Sequence, residues 1–249
     1  MRRICFTALA AVFCLTLILT GAKARAQTPY KAQESHVQRG EALIELMGPP
    51  GFQRVDGLDH DIDETLAAYL PDAGRELAIF AEPKAWKSFY DEIYGTDPSD
   101  LAFYATVTAS DELSEYFLEE LDFSLLTKYF SNIHQLRPGK SSRNRLNGTI
   151  LESGQAAATP FTLISDDPAA SVTFKTELGQ LQDGGDSDEP EFKRRYFAVM
   201  SAVLVRGQVV FLNVYTNSRG PAPEEAQTLA LAWRDEFIKK LTPPDEEAI

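Results

Sequence analysis

Two long apolar runs near the C-terminus, YFAVMSAVLV and QVVFLNVYT, are separated only by Arg206-Gly207. Both are rich in β-branched and aromatic residues, so the pattern predicts a β-hairpin closed by a two-residue loop. Just upstream, ASVTFKTELGQL and FKRRYFAVMSAVLV predict strands on either side of an acidic loop, QDGGDSDEPE. In the N-terminal half, ELAIFAEP alternates as a strand should, and LAFYATVTAS is a second β-rich run. Nearer the start, Ala42 to Met47 predicts a short strand broken by the turn residues Gly48-Pro49-Pro50-Gly51.

Helical periodicity is clearest from Pro223 to Leu241. Proline stands at the first position, Glu224 and Glu225 fall in the first turn, and Lys239 and Lys240 fall in the last. Pro243-Pro244 stops the helix. Ala226, Leu229, Ala230, Trp233, Phe237 and Leu241 share one face, which must pack on a sheet. Asp61 and Glu64 have capping-box spacing ahead of another short helix, and AWKSFYDEIYG predicts a helical turn or two. Ser110 is expected to cap DELSEYFLEEL. Asp122 is expected to cap the next helix, with Leu125, Leu126, Tyr129, Phe130 and Ile133 as its apolar stripe, ending at Pro138-Gly139. Strands paired by hairpins, with helices at intervals, predict an α+β fold. Its expected form is a central antiparallel sheet flanked by helices, with a C-terminal β-hairpin followed by a terminal helix.

The first 26 residues change the composition of what remains. Arg2 and Arg3 precede an apolar run, Ile4 to Thr20, and Ala24-Arg25-Ala26 fits a small-x-small cleavage site, so residues 1–26 are expected to be a signal peptide. Retention of that run as an N-terminal anchor is the alternative. Residues 27–40 are polar and aperiodic and are expected to be a flexible arm. Residues 41–242 are expected to form one α+β domain, and 243–249 a disordered tail. The whole chain carries net charge −13; residues 27–249 hold 20 basic and 37 acidic side chains, or −17. Such a balance argues against nucleic acid, whose phosphates demand a basic surface. Cys5 and Cys14 both lie in the leader, so the exported chain has no thiol nucleophile, thiolate metal site or disulfide. No later segment is long and apolar enough to span a membrane. The expected location is periplasmic or secreted.

Chemistry-bearing motifs are mostly incomplete. Gly139-Lys140-Ser141 matches the tail of a phosphate-binding loop, but His134 occupies the position of the required first glycine, and the segment follows a helix rather than a strand. Nucleotide binding is therefore not expected. Asp56, Asp59, His60, Asp61, Asp63 and Glu64 gather oxygens, yet Glu64 and Leu70 stand where a calcium loop needs glycine and glutamate. Acids at a helix start need no cation to explain them. The glycine-rich acidic loop containing Asp183, Asp186, Asp188, Glu189 and Glu191 also lacks calcium-loop spacing and is expected to be a solvated tip. His36, His60 and His134 are widely separated, without metal-ligand spacing. No metal site, cofactor or catalytic residue is assigned. Trp86, Tyr90 and Tyr94 lie at helical spacing, which reads as core. The remaining feature is Arg137, Lys140, Arg143 and Arg145, nine residues without an acid. A helix C-terminus explains the first two, and the last two make the run a candidate binding patch for a small anion.

The order of features resembles the PsbP/DcrB-like group of small exported α/β proteins. The resemblance rests on RRYFAVMSAVLVRGQVVFLNVYT, a short Pro/Gly linker, PEEAQTLALAWRDEFIKKL, and the early strand and turn ALIELMGPPGF. It implies an antiparallel sheet flanked by helices in an accessory protein without catalysis, and it carries over no functional residue. The expected function is an exported, non-enzymatic accessory or binding protein acting through a protein partner in the cell envelope. An extracytoplasmic hydrolase using paired carboxylates, or a binder of a small anionic ligand, is the alternative.

Overall fold

The C-terminal hairpin organises the sheet. In the computed structural model, β9 (Phe192–Val205) and β10 (Gln208–Thr216) pair antiparallel from Val205↔Gln208 to Phe197↔Thr216. Arg206 and Gly207 have φ of 48° and 78°. Positive φ at both loop positions is the mark of a type I′ turn, whose twist matches that of the strands. Arginine tolerates this conformation poorly, and glycine carries it without steric cost. A Cβ at Gly207 would also enter the Phe117 ring. That ring is 68% exposed and can swing away. Backbone strain should therefore dominate in Gly207→Ala, lowering stability by about 1–2 kcal/mol in urea melts.

The structure describes residues 35–58, 66, 76–93, 101–109, 117–131, 155–157, 159, 161–167, 170–181 and 192–241. All of these belong to one compact unit, Gln33–Ile249. The elements preceding the hairpin are β1 (His36–Arg39), β2 (Ala42–Glu45), β3 (Gln53–Arg54), β4 (Glu76–Ala81), α1 (Pro83–Ile93), β5 (Phe103–Ala109), α2 (Glu120–Ser131), β6 (Gln155–Ala157), β7 (Thr162–Asp167) and β8 (Ser171–Leu181). After the hairpin comes α3 (Pro223–Leu241). The main sheet has the order β3-β4-β5-β10-β9-β8-β6, with β7 also paired to β8, and every pairing is antiparallel. β1 and β2 form a separate two-stranded ribbon.

Central strands buried on both faces explain why β10 is apolar almost throughout, since every one of its residues is buried. Alternate side chains go to opposite faces. Val210, Leu212 and Val214 join one core with Ala226, Ala230, Trp233, Phe237 and Leu241 of α3. Val209, Phe211 and Tyr215 join the other, which also contains Trp86 and Phe89 of α1 and Phe123 of α2. The face that holds α3 also holds Ala42 and Ile44 of β2 and, beyond it, Leu46. On the same face Arg234 Nη1 donates to Thr173 Oγ1 at 3.0 Å, and Lys175 Nζ donates to Gln227 Oε1 at 3.0 Å. A polar island interrupts the opposite face. Asn213 Nδ2 donates to the hydroxyls of Thr106 and Thr108 at 3.2 and 3.3 Å, while its buried Oδ1 has no partner among the described residues.

Antiparallel pairing, the hairpin and the terminal helix match the expectation from the sequence. Several details differ. The arm expected over 27–40 does not extend to its end, because His36–Arg39 is strand. A two-stranded ribbon needs no continuous apolar side on β1, whose residues are exposed or half-buried. α2 begins at Glu120 rather than after Asp122. Asp122 Oδ2 instead accepts the Glu119 N–H at 3.4 Å, the reach-back half of a capping box. Of the expected stripe, Leu125 is 59% exposed and the side chains of Leu126, Tyr129, Phe130 and Ile133 lie outside the described residues, while Phe123 and Thr127, one turn apart, are buried. β6 and β7 were not expected from the sequence. The leader, the capping Ser110, the acidic loop at 183–191 and the tail at 243–249 lie outside the described residues, and of the helix expected from Asp61 only Leu66 is described, helical and buried. Among the described residues, no helix is long and apolar enough to cross a membrane.

Candidate functional site

The basic run Arg137, Lys140, Arg143 and Arg145 lies outside the described residues, as do His60, His134 and the acids from Asp59 to Glu64. Asp56 is described, and its role is structural. Its carboxylate receives Arg54 Nε at 2.9 Å and Nη2 at 2.7 Å, and it accepts the Ile79 N–H at 2.8 Å, fixing β3 beside β4. His36 sits on the outer ribbon, with Nδ1 2.8 Å from Ser35 Oγ. Of the three aromatics expected in the core, Trp86 is buried, its ring centroid 5.7 Å from that of Phe89 and 6.1 Å from that of Tyr90, but Tyr90 is 39% exposed, and Tyr94 lies outside the described residues.

The sheet instead builds a groove at one end, from residues that carry no motif. Strand register brings the parts together: Ala81 of β4 opposes Tyr104, and Thr216 of β10 opposes Phe103. The segments leaving β4, entering β5 and leaving β10 therefore converge. Between them lies a cavity of about 600 Å³ lined by Glu82, Lys84, Ala85, Ser88, Phe89, Ala102, Phe103, Arg219, Gly220 and Pro221. That volume is within the range of small-molecule sites, roughly 300–1,000 Å³.

Each wall has a local cause. α1 starts with Pro83, whose missing N–H is no loss in a first turn. Glu82 caps it, Oε2 accepting the Ala85 N–H at 2.7 Å. The spacing of Lys84 and Ser88, and of Ala85 and Phe89, places all four along one side of the helix. On the opposite wall, Asn217 folds the chain after β10. Its N–H donates to the Ala102 carbonyl at 3.1 Å, its side-chain oxygen accepts the Arg219 N–H at 2.9 Å, and its carbonyl accepts the Gly220 N–H at 3.0 Å. Thr216 Oγ1 donates to the Pro221 carbonyl at 2.9 Å, closing the bend. Glycine is required here by space, because a Cβ at Gly220 would press on Thr216 Oγ1 and lie 2.5 Å from the Ala102 carbonyl oxygen.

Phe89 belongs to the core on one face of the sheet, whereas Phe103 packs against the core of the other, held edge-on by Phe52 at 4.9 Å. Phe89, 1% exposed, closes the core behind the groove, and Phe103 is the half-buried aromatic side chain in its lining. Among the described lining residues, Lys84 and Arg219 are basic and Glu82 is acidic. The backbone amides of Ala85, Arg219 and Gly220 are already engaged. Recognition of a polar ligand therefore falls to the side chains. Among the described residues, no group of three or more His, Asp or Glu is placed to hold a metal ion. No protein-family model matches this chain, and no curated protein matches it at a significant level.

Proposed function

We propose that this chain is an exported, non-enzymatic binding protein of the cell envelope, and that the groove at the end of β4, β5 and β10 is its ligand site. The observation that carries the reading is the groove itself, a cavity of small-molecule size with Phe103 and the charged side chains Glu82, Lys84 and Arg219 in its lining. The leader at 1–26 and the excess of acids support an exported, highly soluble protein. The hairpin, the short linker and the terminal helix keep the arrangement on which the PsbP/DcrB-like resemblance rests, with helices on both faces of an α+β sheet. A protein that binds without reacting acts by handing on its ligand or its bound state, so a protein partner in the envelope is part of the proposal.

Filling the groove tests it. Ser88 is exposed on α1 and lines the cavity, so Ser88→Trp should block the site while leaving the fold intact. In a thermal-shift screen of small metabolite-like compounds, ligands present at about 100 times Kd should raise the wild-type Tm by roughly 5–10 °C. Those shifts should vanish in Ser88→Trp, whose own Tm should lie within about 2 °C of wild type. Hits that persist unchanged in the variant would place binding elsewhere.

A further inference from the structure

The sheet offers a second surface, away from the groove. β8 pairs along its length with β9 on one side, and on its other side with β7 and β6. Among the described residues, no strand pairs with the outer side of β7, and Thr162, Leu163, Asp166 and Asp167 are exposed. We propose that the outer edge of β7 is a docking site for an extended, basic segment of a partner protein, which adds to the sheet as an antiparallel strand. The outer side of an edge strand presents backbone N–H and C=O groups ready to pair. Main-chain bonds then supply affinity, and alternate side chains supply specificity.

The register of β7 says which side chains a partner meets. Leu163 opposes Phe174 and Asp166 opposes Val172, and both Phe174 and Val172 belong to the core on the face of α1 and α2. Cross-strand partners point to the same face, so Leu163 and Asp166 lie on that face too. The register shift between Leu163 and Ser165 leaves Ile164 as the extra residue of a bulge, packed against the core on the α3 face. Leu163, 44% exposed, and the exposed carboxylate of Asp166 are therefore successive groups on one side of the edge. An antiparallel strand laid beside them answers with a basic and then an apolar side chain, two residues apart. Acids and a bulge at an edge are devices against pairing between copies. In the symmetric register a second copy would set its Leu163 against Asp166 and supply no base, and each chain carries net charge −13. A basic segment meets attraction instead.

The probe is the capped heptapeptide TKTRTLT, with TETETLT as its acidic counterpart, titrated into the isotopically labelled exported chain and followed by backbone NMR. Amide signals of Thr162–Asp167 should shift with TKTRTLT at concentrations up to about 1 mM, and the acidic peptide should bind about fivefold to tenfold more weakly. Asp166→Lys, an exposed change, should reverse that order and leave the fold intact. Two N-methylated forms of TKTRTLT, modified at alternate residues in opposite phase, test for the added strand. Only every second N–H of such a strand faces the sheet, so one form should lose binding and the other keep it within about twofold. Loss in both forms, or in neither, would overturn strand addition. Equal binding of the basic and acidic peptides, shifts confined to other elements, or no shift at the highest concentration would overturn the proposal. Dimerisation of the chain alone through Thr162–Asp167 would make a second copy the occupant and overturn it as well. Ser88→Trp should bind TKTRTLT as wild type does, because β9 and β8 stand between β10 and β7, so the edge and the groove stand or fall separately.

Discussion

Trp233→Ala should cost about 3–5 kcal/mol of stability, the largest loss expected from any single truncation in the terminal helix. The indole is 1% exposed and sits where three parts of the chain meet. It packs edge-on to Phe80 of β4 and to Phe237 one turn along α3, each with ring centroids 6.5 Å apart. Its Nε1 donates to the Met47 carbonyl at 3.0 Å, joining the early turn to a helix 186 residues away in sequence. Alanine would leave a cavity between sheet and helix and would also deprive a carbonyl of its donor. For a unit of this size the loss corresponds to a fall in Tm of roughly 6–20 °C. Trp233→Phe separates the two contributions. It keeps a six-membered ring but loses the pyrrole part of the indole with the hydrogen bond, leaving the Met47 carbonyl without its donor, so its cost should be about 1–3 kcal/mol. Urea unfolding with an unchanged m-value would read both. A Trp233→Ala loss below about 1 kcal/mol would show that α3 does not close this face of the sheet.

The same residue shows what the sequence makes legible. Trp233 falls on the apolar face of the last helix with Ala226, Leu229, Ala230, Phe237 and Leu241 at helical spacing, and all of these but the half-buried Leu229 are buried. β9 and β10 were equally plain, being long and apolar with a two-residue loop between them. β7 was not. Thr162–Asp167 lies at the sheet edge and packs only in part, with Thr162, Leu163, Asp166 and Asp167 exposed, so it shows neither alternation nor an apolar run. β1 escapes detection for a similar reason: a ribbon strand with exposed and half-buried residues looks like a polar arm. In α2 the pattern places Leu125 in the apolar stripe and leaves out Phe123, whereas Phe123 is buried and Leu125 exposed. Phe123 stands between Asp122 and Ser124, so no apolar neighbour marks it, and tertiary packing buries it rather than Leu125.

The groove was beyond reach of pattern reading for a different reason. Lys84 and Arg219 are 135 positions apart and neither belongs to a motif. Their meeting depends on the β4–β5 and β5–β10 registers, which are long-range pairings that local periodicity does not encode. One local signal was present. Ser218-Arg219-Gly220-Pro221 joins a buried strand to a capped helix and places a cation between turn residues, a combination suited to a binding loop. The basic run at 137–145 drew attention by its density, whereas the basic side chains in the described groove lining are two isolated ones.

Gly220→Ala should couple the fold to the site more sharply than any change in a rim charge. The added methyl would sit against Thr216 Oγ1 and 2.5 Å from the Ala102 carbonyl oxygen. Thr216 can rotate away only by giving up its bond to the Pro221 carbonyl. The Ala102 carbonyl belongs to backbone and accepts the Asn217 N–H, so it yields only if the start of β5 or the bend itself moves. Overpacking of this kind costs about 1–3 kcal/mol, and the backbone partner argues for the upper part of that range. Tm should fall by roughly 4–12 °C. Movement of the bend would also carry Arg219 and Pro221 out of the wall, so ligand binding in the groove should weaken at temperatures well below Tm, where the sheet remains folded. Ala222, two positions on and exposed, supplies the control. Ala222→Ser should change neither Tm by more than about 2 °C nor binding. If Gly220→Ala lost stability and kept full affinity, the bend would be a packing element only, and the groove would have to bind its ligand from the α1 wall alone.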